Sequence, residues 1–133
     1  QQTTVVRVRG NLGDDRVEKT IADTGADVIR LRTYDTFFAD WSDEAKEKLL
    51  GNPPDVILFT SGSTAEGFAA HLHGESLKQV VENAFVVSIG PSTSKVIEFQ
   101  GMRVDLEAQT HSIPAMIDEL VTYHVKNSIG RKK

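Results

Sequence analysis

Apolar and polar positions switch rhythm repeatedly along this chain, and the switches mark its elements. Residues 4–9, TVVRVR, alternate as a short strand. Asp14 or Asp15 is placed to cap a helix from about residue 16 to 24, with Val17, Ile21 and Ala22 on its inner face and Gly25 at its C-terminal stop. A second strand follows at 28–32 and ends in Thr33-Tyr34-Asp35-Thr36. Residues 37–54 break the rhythm with Phe37-Phe38, Trp41, a Ser42-capped turn through Ala45, Leu49 and Leu50, and a Pro53-Pro54 stop that no helix continues through. This segment reads as a connector with one short helix, and as a hinge.

The clearest switch comes at residues 55–67, DVILFTSGSTAEG. Four apolar residues, Val56 to Phe59, suit a strand buried on both faces. Hydroxyls and a glycine follow, and then Ala65, Phe68, Ala69 and Leu72 at helical spacing; Ser63 with Glu66 makes a capping box. A weaker helix or turn at 77–83 leads to a strand at 85–89, FVVSI, which breaks at Gly90-Pro91-Ser92-Thr93-Ser94. Pro91 suits the first turn of a helix that carries Val96, Ile97 and Phe99 inward and stops at Gly101. A last strand at 103–108 passes through Gln109-Thr110-His111-Ser112 into a helix with Ile113, Met116, Ile117, Leu120 and Val121 in an i, i+3, i+4 pattern.

Strand and helix thus alternate five times, the pattern of a parallel sheet covered on both faces. The expected fold is α/β: a flavodoxin-like, doubly wound, five-stranded parallel sheet in three αβα layers. The whole of 1–133 forms one such unit, divided into a β-α-β part at 3–36, the connector at 37–54 and three β-α units at 55–130.

Composition narrows the function. With 39% apolar and 26% charged residues, the chain has the make-up of a soluble globular domain. No apolar run approaches the roughly 20 residues of a membrane span, and no secretory signal is visible, so no membrane partner and a cytoplasmic location are expected. The absence of cysteine removes disulfide and thiolate chemistry. A net charge of -4 argues against nucleic acid, and the ending Arg131-Lys132-Lys133 reads as a solvated tail. The first residue is Gln, which suggests a piece of something longer.

Familiar catalytic patterns are missing. His71, His73, His111 and His124 do not complete a metal-ligand spacing, so no metal is expected. Gly10-Asn11-Leu12-Gly13 is not a dinucleotide fingerprint, no phosphate-binding loop with lysine occurs, and Ser61 does not sit in a nucleophile elbow. What remains is three corners of small hydroxyls and glycine at strand ends: Thr60-Ser61-Gly62-Ser63, Gly90-Pro91-Ser92-Thr93 and Thr110-His111-Ser112. Taken singly, each reads as a helix cap. Together on one sheet edge they make a row of N–H and O–H donors for several carboxylates or phosphates. Tyr34, at a strand end on the same edge, is either an aromatic plug or a ligand-facing group. Arg7, Arg9, Arg30 and Arg32 alternate along two strands, either paired with acidic groups or forming a basic wall for an anion.

These stretches resemble the uroporphyrinogen-III synthase family. The matching pieces are VVRVRG, the Gly25-Ala26-Asp27-Val28 stretch, RLRTYDT, DVILFTSGSTAEGF, VVSIGPSTSKVIEFQG and THSIPAMIDELV, in the family's order across nearly the whole chain. The resemblance implies an enzyme that closes hydroxymethylbilane into uroporphyrinogen III with inversion of ring D, in tetrapyrrole synthesis, with neither metal nor organic cofactor. It implies a cleft between two flavodoxin-like domains, where main-chain amides and small hydroxyls hold the acetate and propionate groups. Tyr34 matches the tyrosine that assists departure of the hydroxyl. Thr60, Ser61 and Ser63 match one binding turn and Ser92-Thr93 another, with Arg9, Gly10, Gly62, Gly90 and Thr110 completing the candidate set. The family enzyme is about twice this length, and this chain looks like its C-terminal half, whose β-α-β part and three β-α units belong to different domains of the whole. Three outcomes are open: the half folds on itself, two copies exchange segments through 37–54 to rebuild a dimer, or it is an inactive piece. The rivals are a module that binds a tetrapyrrole or other polycarboxylate without turnover, and a receiver-like domain. The third strand ends in Phe59-Thr60-Ser61 rather than in an aspartate, which speaks against the receiver.

Overall fold

A computed structural model describes residues 3–127, so the basic tail at 131–133 lies outside the described residues. The chain divides into two compact units, one ending at Ala39 and the other beginning at Asp40. All strand pairing is parallel, as expected, but the strands form a two-stranded and a three-stranded sheet instead of one sheet of five. Alternating elements fix the order of strands along the chain but not their hydrogen-bonding partners, and that is where the sequence expectation failed.

The first unit holds β1 (Thr4–Gly10), α1 (Arg16–Ala22) and β2 (Asp27–Tyr34). Gly25 adopts φ +86°, the left-handed conformation expected where the helix turns into the next strand. Side chains alternate across the strands. One face carries Val5, Arg7 and Arg9 beside Val28, Arg30 and Arg32, with α1 laid against it through Glu18. The other carries Val6 and Val8 beside Ile29 and Leu31, all at least half exposed. The inner face of α1 differs from expectation: Val17 is exposed and Glu18 is buried, because the arginines on that sheet face call for a carboxylate.

The second unit contains α2 (Asp43–Gly51), β3 (Val56–Phe59), α3 (Gly62–His71), α4 (Glu75–Val81), β4 (Phe85–Ser88), α5 (Pro91–Phe99), β5 (Leu106–Glu107) and α6 (Ile113–Asn127). The sheet order is β3-β4-β5. β4 is central and buried on both faces: Val86 joins a core with Ile57, Phe59, Leu72, Val80 and Ile97, and Val87 joins Ala108 and Met116 on the opposite face. β3 is an edge strand, so Leu58 stays 41% exposed and the expected two-faced burial fails there. Phe99, expected inward, is 87% exposed at the end of α5. On α6, Met116 is buried while Ile113, Ile117 and Val121 face outward.

The connector is split by the boundary between the units. Its second part belongs to the second unit: Ser42 caps α2 by accepting the Ala45 N–H at 3.1 Å, and Leu49 and Leu50 pack on the core. Trp41 stacks on His71 with ring centroids 4.9 Å apart and meets Phe68 edge-on at 5.7 Å.

Candidate functional site

The carboxyl ends of β3, β4 and β5 lie abreast, with Phe59 paired to Ser88 and Ser88 to Glu107. The Ile89 N–H donates to the Phe59 carbonyl at 3.1 Å and the Ala108 N–H to the Ser88 carbonyl at 2.9 Å. The three hydroxyl corners therefore leave the sheet side by side on one edge of the second unit.

At the first corner the helix cap is Ser61, not Ser63. Ser61 is extended, its Oγ accepts the Thr64 N–H at 3.3 Å, and the Thr64 hydroxyl donates back to the Ser61 carbonyl at 2.7 Å. Ser63 falls in the first turn, its Oγ 3.1 Å from that of Ser61, and both Thr60 and Ser63 are exposed. The first N–H groups of α3 have no carbonyl of their own helix to meet. Gly62 is packed so closely on α5 that a Cβ there would stand 2.8 Å from Val96 Cγ2.

The second corner is tied from within. Buried Ser88 donates its hydroxyl to the Gly90 carbonyl at 2.9 Å and accepts the Gly90 N–H at 3.3 Å. Ser94 donates to Glu107 Oε2 at 2.5 Å, linking the start of α5 to β5. Pro91 occupies the first helical position as expected. Ser92 is exposed, whereas Thr93 is buried. At the third corner Ser112 caps α6 by accepting the Ala115 N–H at 3.3 Å, and the exposed Thr110 uses its carbonyl to accept the Ser112 N–H at 2.8 Å. The last two corners touch: a Cβ on Gly90 would lie 2.8 Å from the His111 ring.

The other candidates stand in the first unit. Tyr34 ends β2 and is 62% exposed. It lies opposite the buried Gly10, so that a Cβ on Gly10 would fall 2.8 Å from Tyr34 Cζ. Arg9 is engaged in pairing: its guanidinium meets Asp15 at 3.0 Å, Glu18 at 2.9 Å and the Gly13 carbonyl at 2.8 Å. Desolvation works against its charge, but Asp15 and Glu18 more than offset this and hold its pKa above the ordinary value. Burial pushes the Glu18 carboxyl up, while its own backbone amide and the guanidinium groups of Arg7 and Arg9 outweigh that and hold it below the usual carboxylate range. Of the two roles left open for the arginines, acid pairing is thus the one that the described residues display, in Arg7 and Arg30 with Glu18 and in Arg32 with Asp35.

The sequence reading did not single out Ser88, Glu107, Asn11 or Glu18. Ser88 carried a usable signal, since a serine inside an apolar strand must find a partner once buried. Among the described residues no three His, Asp or Glu side chains gather as a metal site, and no helix is long and apolar enough to cross a membrane.

The sequence profile described as uroporphyrinogen-III synthase HemD matches residues 1–118. The chain belongs to the uroporphyrinogen-III synthase family. Its similarity to the uroporphyrinogen-III synthase of Chlorobaculum parvum is 30% identity over 105 residues, 77% of this chain and 42% of that protein. The crystal structure of uroporphyrinogen-III synthetase from Helicobacter pylori 26695 superposes with a TM-score of 0.72 at 19% identity, over 90% of this chain and 53% of that one. This synthase-family chain therefore spans about half the length of the relatives it matches.

Proposed function

We propose that this chain is a working part of a uroporphyrinogen-III synthase, which closes hydroxymethylbilane to uroporphyrinogen III with ring D inverted. The observation that carries the reading is the row of three hydroxyl corners at one sheet edge. Thr60, Ser61, Gly62, Ser63, Ser92 and Thr110 there offer amide and hydroxyl donors of the kind that hold several carboxylates at fixed spacing, with Gly90 and Thr93 buried behind them as the frame of the second corner. Tyr34 is the catalytic group: its hydroxyl hydrogen-bonds to the departing hydroxyl of the bilane. Arg9 and Gly10 act beside it, Arg9 through its ion pairs. Loss of water and attack by the pyrrole carbon then need orientation and charge placement more than a strong base, and no cofactor. The enzyme works in the cytoplasm. Each unit is part of a flavodoxin-like domain, completed either by a second copy exchanging segments through 37–54 or by the other half of the family's fold.

The test is the isomer ratio formed from hydroxymethylbilane, read by chromatography after oxidation. Bilane left alone closes to the type I isomer, so type III above a protein-free control supports the synthase, whereas type I alone means that this chain by itself is not a synthase and moves the half-enzyme and binding-module readings ahead. A second reading, a tetrapyrrole-binding module without turnover, draws on the same row of donors. It predicts that Tyr34→Phe changes nothing, whereas the synthase reading predicts lost turnover with bilane affinity kept.

A further inference from the structure

The register of β1 against β2 slips at one place. Arg9 stands opposite Arg32, but Gly10 stands opposite Tyr34, so Thr33 is an extra residue on β2. An insertion of this kind re-aims the side chain that follows it. Here that side chain is Tyr34, and the bare backbone of Gly10 receives its ring: a Cβ on Gly10 would lie 2.8 Å from Cζ and 2.9 Å from Cδ2. Gly10 is buried under that ring.

The next residue fixes the far side. The Asn11 carboxamide donates to the Thr36 carbonyl at 2.9 Å and accepts the Thr36 N–H at 2.6 Å. One side chain thereby gives residue 36 both hydrogen bonds that a neighbouring strand would supply. Tyr34 is thus bracketed by an inserted residue before it and a two-point clamp after it. Its ring rests on a surface, while no hydrogen bond from the described residues engages its hydroxyl. An exposed tyrosine without such support would sweep through its rotamers.

We propose that Gly10 and Asn11 are positioning residues that hold the Tyr34 phenol in one orientation with its hydroxyl free for a ligand. This rests on the synthase reading for the identity of the ligand, but not for the positioning itself.

The experiment labels the chain with 3-fluorotyrosine and reads fluorine resonances. Tyr34 and Tyr123 are its two tyrosines, and Tyr34→Phe assigns them. In Gly10→Ala the Tyr34 resonance moves toward its position in the urea-unfolded chain, while that of Tyr123 stays. Asn11→Ala moves it the same way, and Asn11→Asp, which keeps an acceptor for the Thr36 N–H, falls between. Amide signals of the β1–β2 ladder confirm that the unit remains folded. If Gly10→Ala unfolds it, the two Asn11 variants decide. Where the chain forms the type III isomer, kcat falls about 10- to 100-fold in Gly10→Ala with KM within about twofold, as expected when a reacting group is displaced by about 1 Å. A Tyr34 resonance unmoved in every folded variant overturns the proposal. A chain that makes only type I is not a synthase by itself, which overturns that reading for the chain alone, and the fluorine shifts still decide the positioning.

Discussion

Two glycines at the donor-lined edge meet close neighbours, and they should respond differently to a methyl group. At Gly62 the neighbour is Val96, a β-branched side chain half-buried on α5, with little room to turn. Gly62→Ala should therefore cost about 1–3 kcal/mol in urea unfolding followed by Trp41 fluorescence, the usual cost of overpacking. At Gly90 the neighbour is the ring of exposed His111, which can swing into solvent. Gly90 is extended at φ 171°, a conformation open to any residue, so Gly90→Ala should cost clearly less in the same measurement. Glu18 carries a pH dependence. Its pKa is lowered in the folded state, so its contribution is complete above the unfolded carboxylate value and lost as pH falls through the lower folded value. On acidification the β1–β2 amide signals should weaken across that range, and Glu18→Gln should flatten the dependence while weakening the unit at neutral pH. The sequence offered acid pairing for the arginines without naming Glu18 as the partner, and it placed Gly62 at a corner without showing that Val96 lies against it.

Among elements, the strand-to-helix corners were well legible, because a run of apolar residues ending in hydroxyls has few other readings. β3, β4, α5 and the Ser42-capped α2 all fall where that pattern put them. The finer assignment at α3 failed because Ser61 and Ser63 both have cap chemistry, and Glu66 made Ser63 the more attractive choice. The backbone decides otherwise, since helical geometry begins at Gly62. Ser61→Ala should thus cost about 0.5–2 kcal/mol of stability, as for other lost caps, while Ser63→Ala leaves the urea midpoint nearly unchanged. If Ser63 also meets substrate, its loss should appear in KM alone. The exposed Phe99 and Val17 mark a second limit: periodicity says that a helix has an apolar side, not which residues at its ends the neighbours reach.

For the whole molecule, alternation established an α/β chain but could not say that its strands would divide two and three. The first unit, ending at Ala39, falls just under the roughly 40 residues below which a core usually needs a disulfide, a metal or association to hold, and Val6, Val8, Ile29 and Leu31 on one sheet face are at least half exposed. Its amides should exchange with solvent much faster than those of β4, whose Val86 and Val87 are fully buried, and exchange monitored by NMR checks this. Equal protection in both units would contradict it. The edge at β3, β4 and β5 has one further consequence. Its amide donors are set by strand ends and helix starts whatever side chains stand there, whereas the hydroxyl donors and the glycine packed on Val96 need their own residues. A ligand held there is gripped in part by the backbone itself, and that share of the grip is out of reach of any single side-chain replacement.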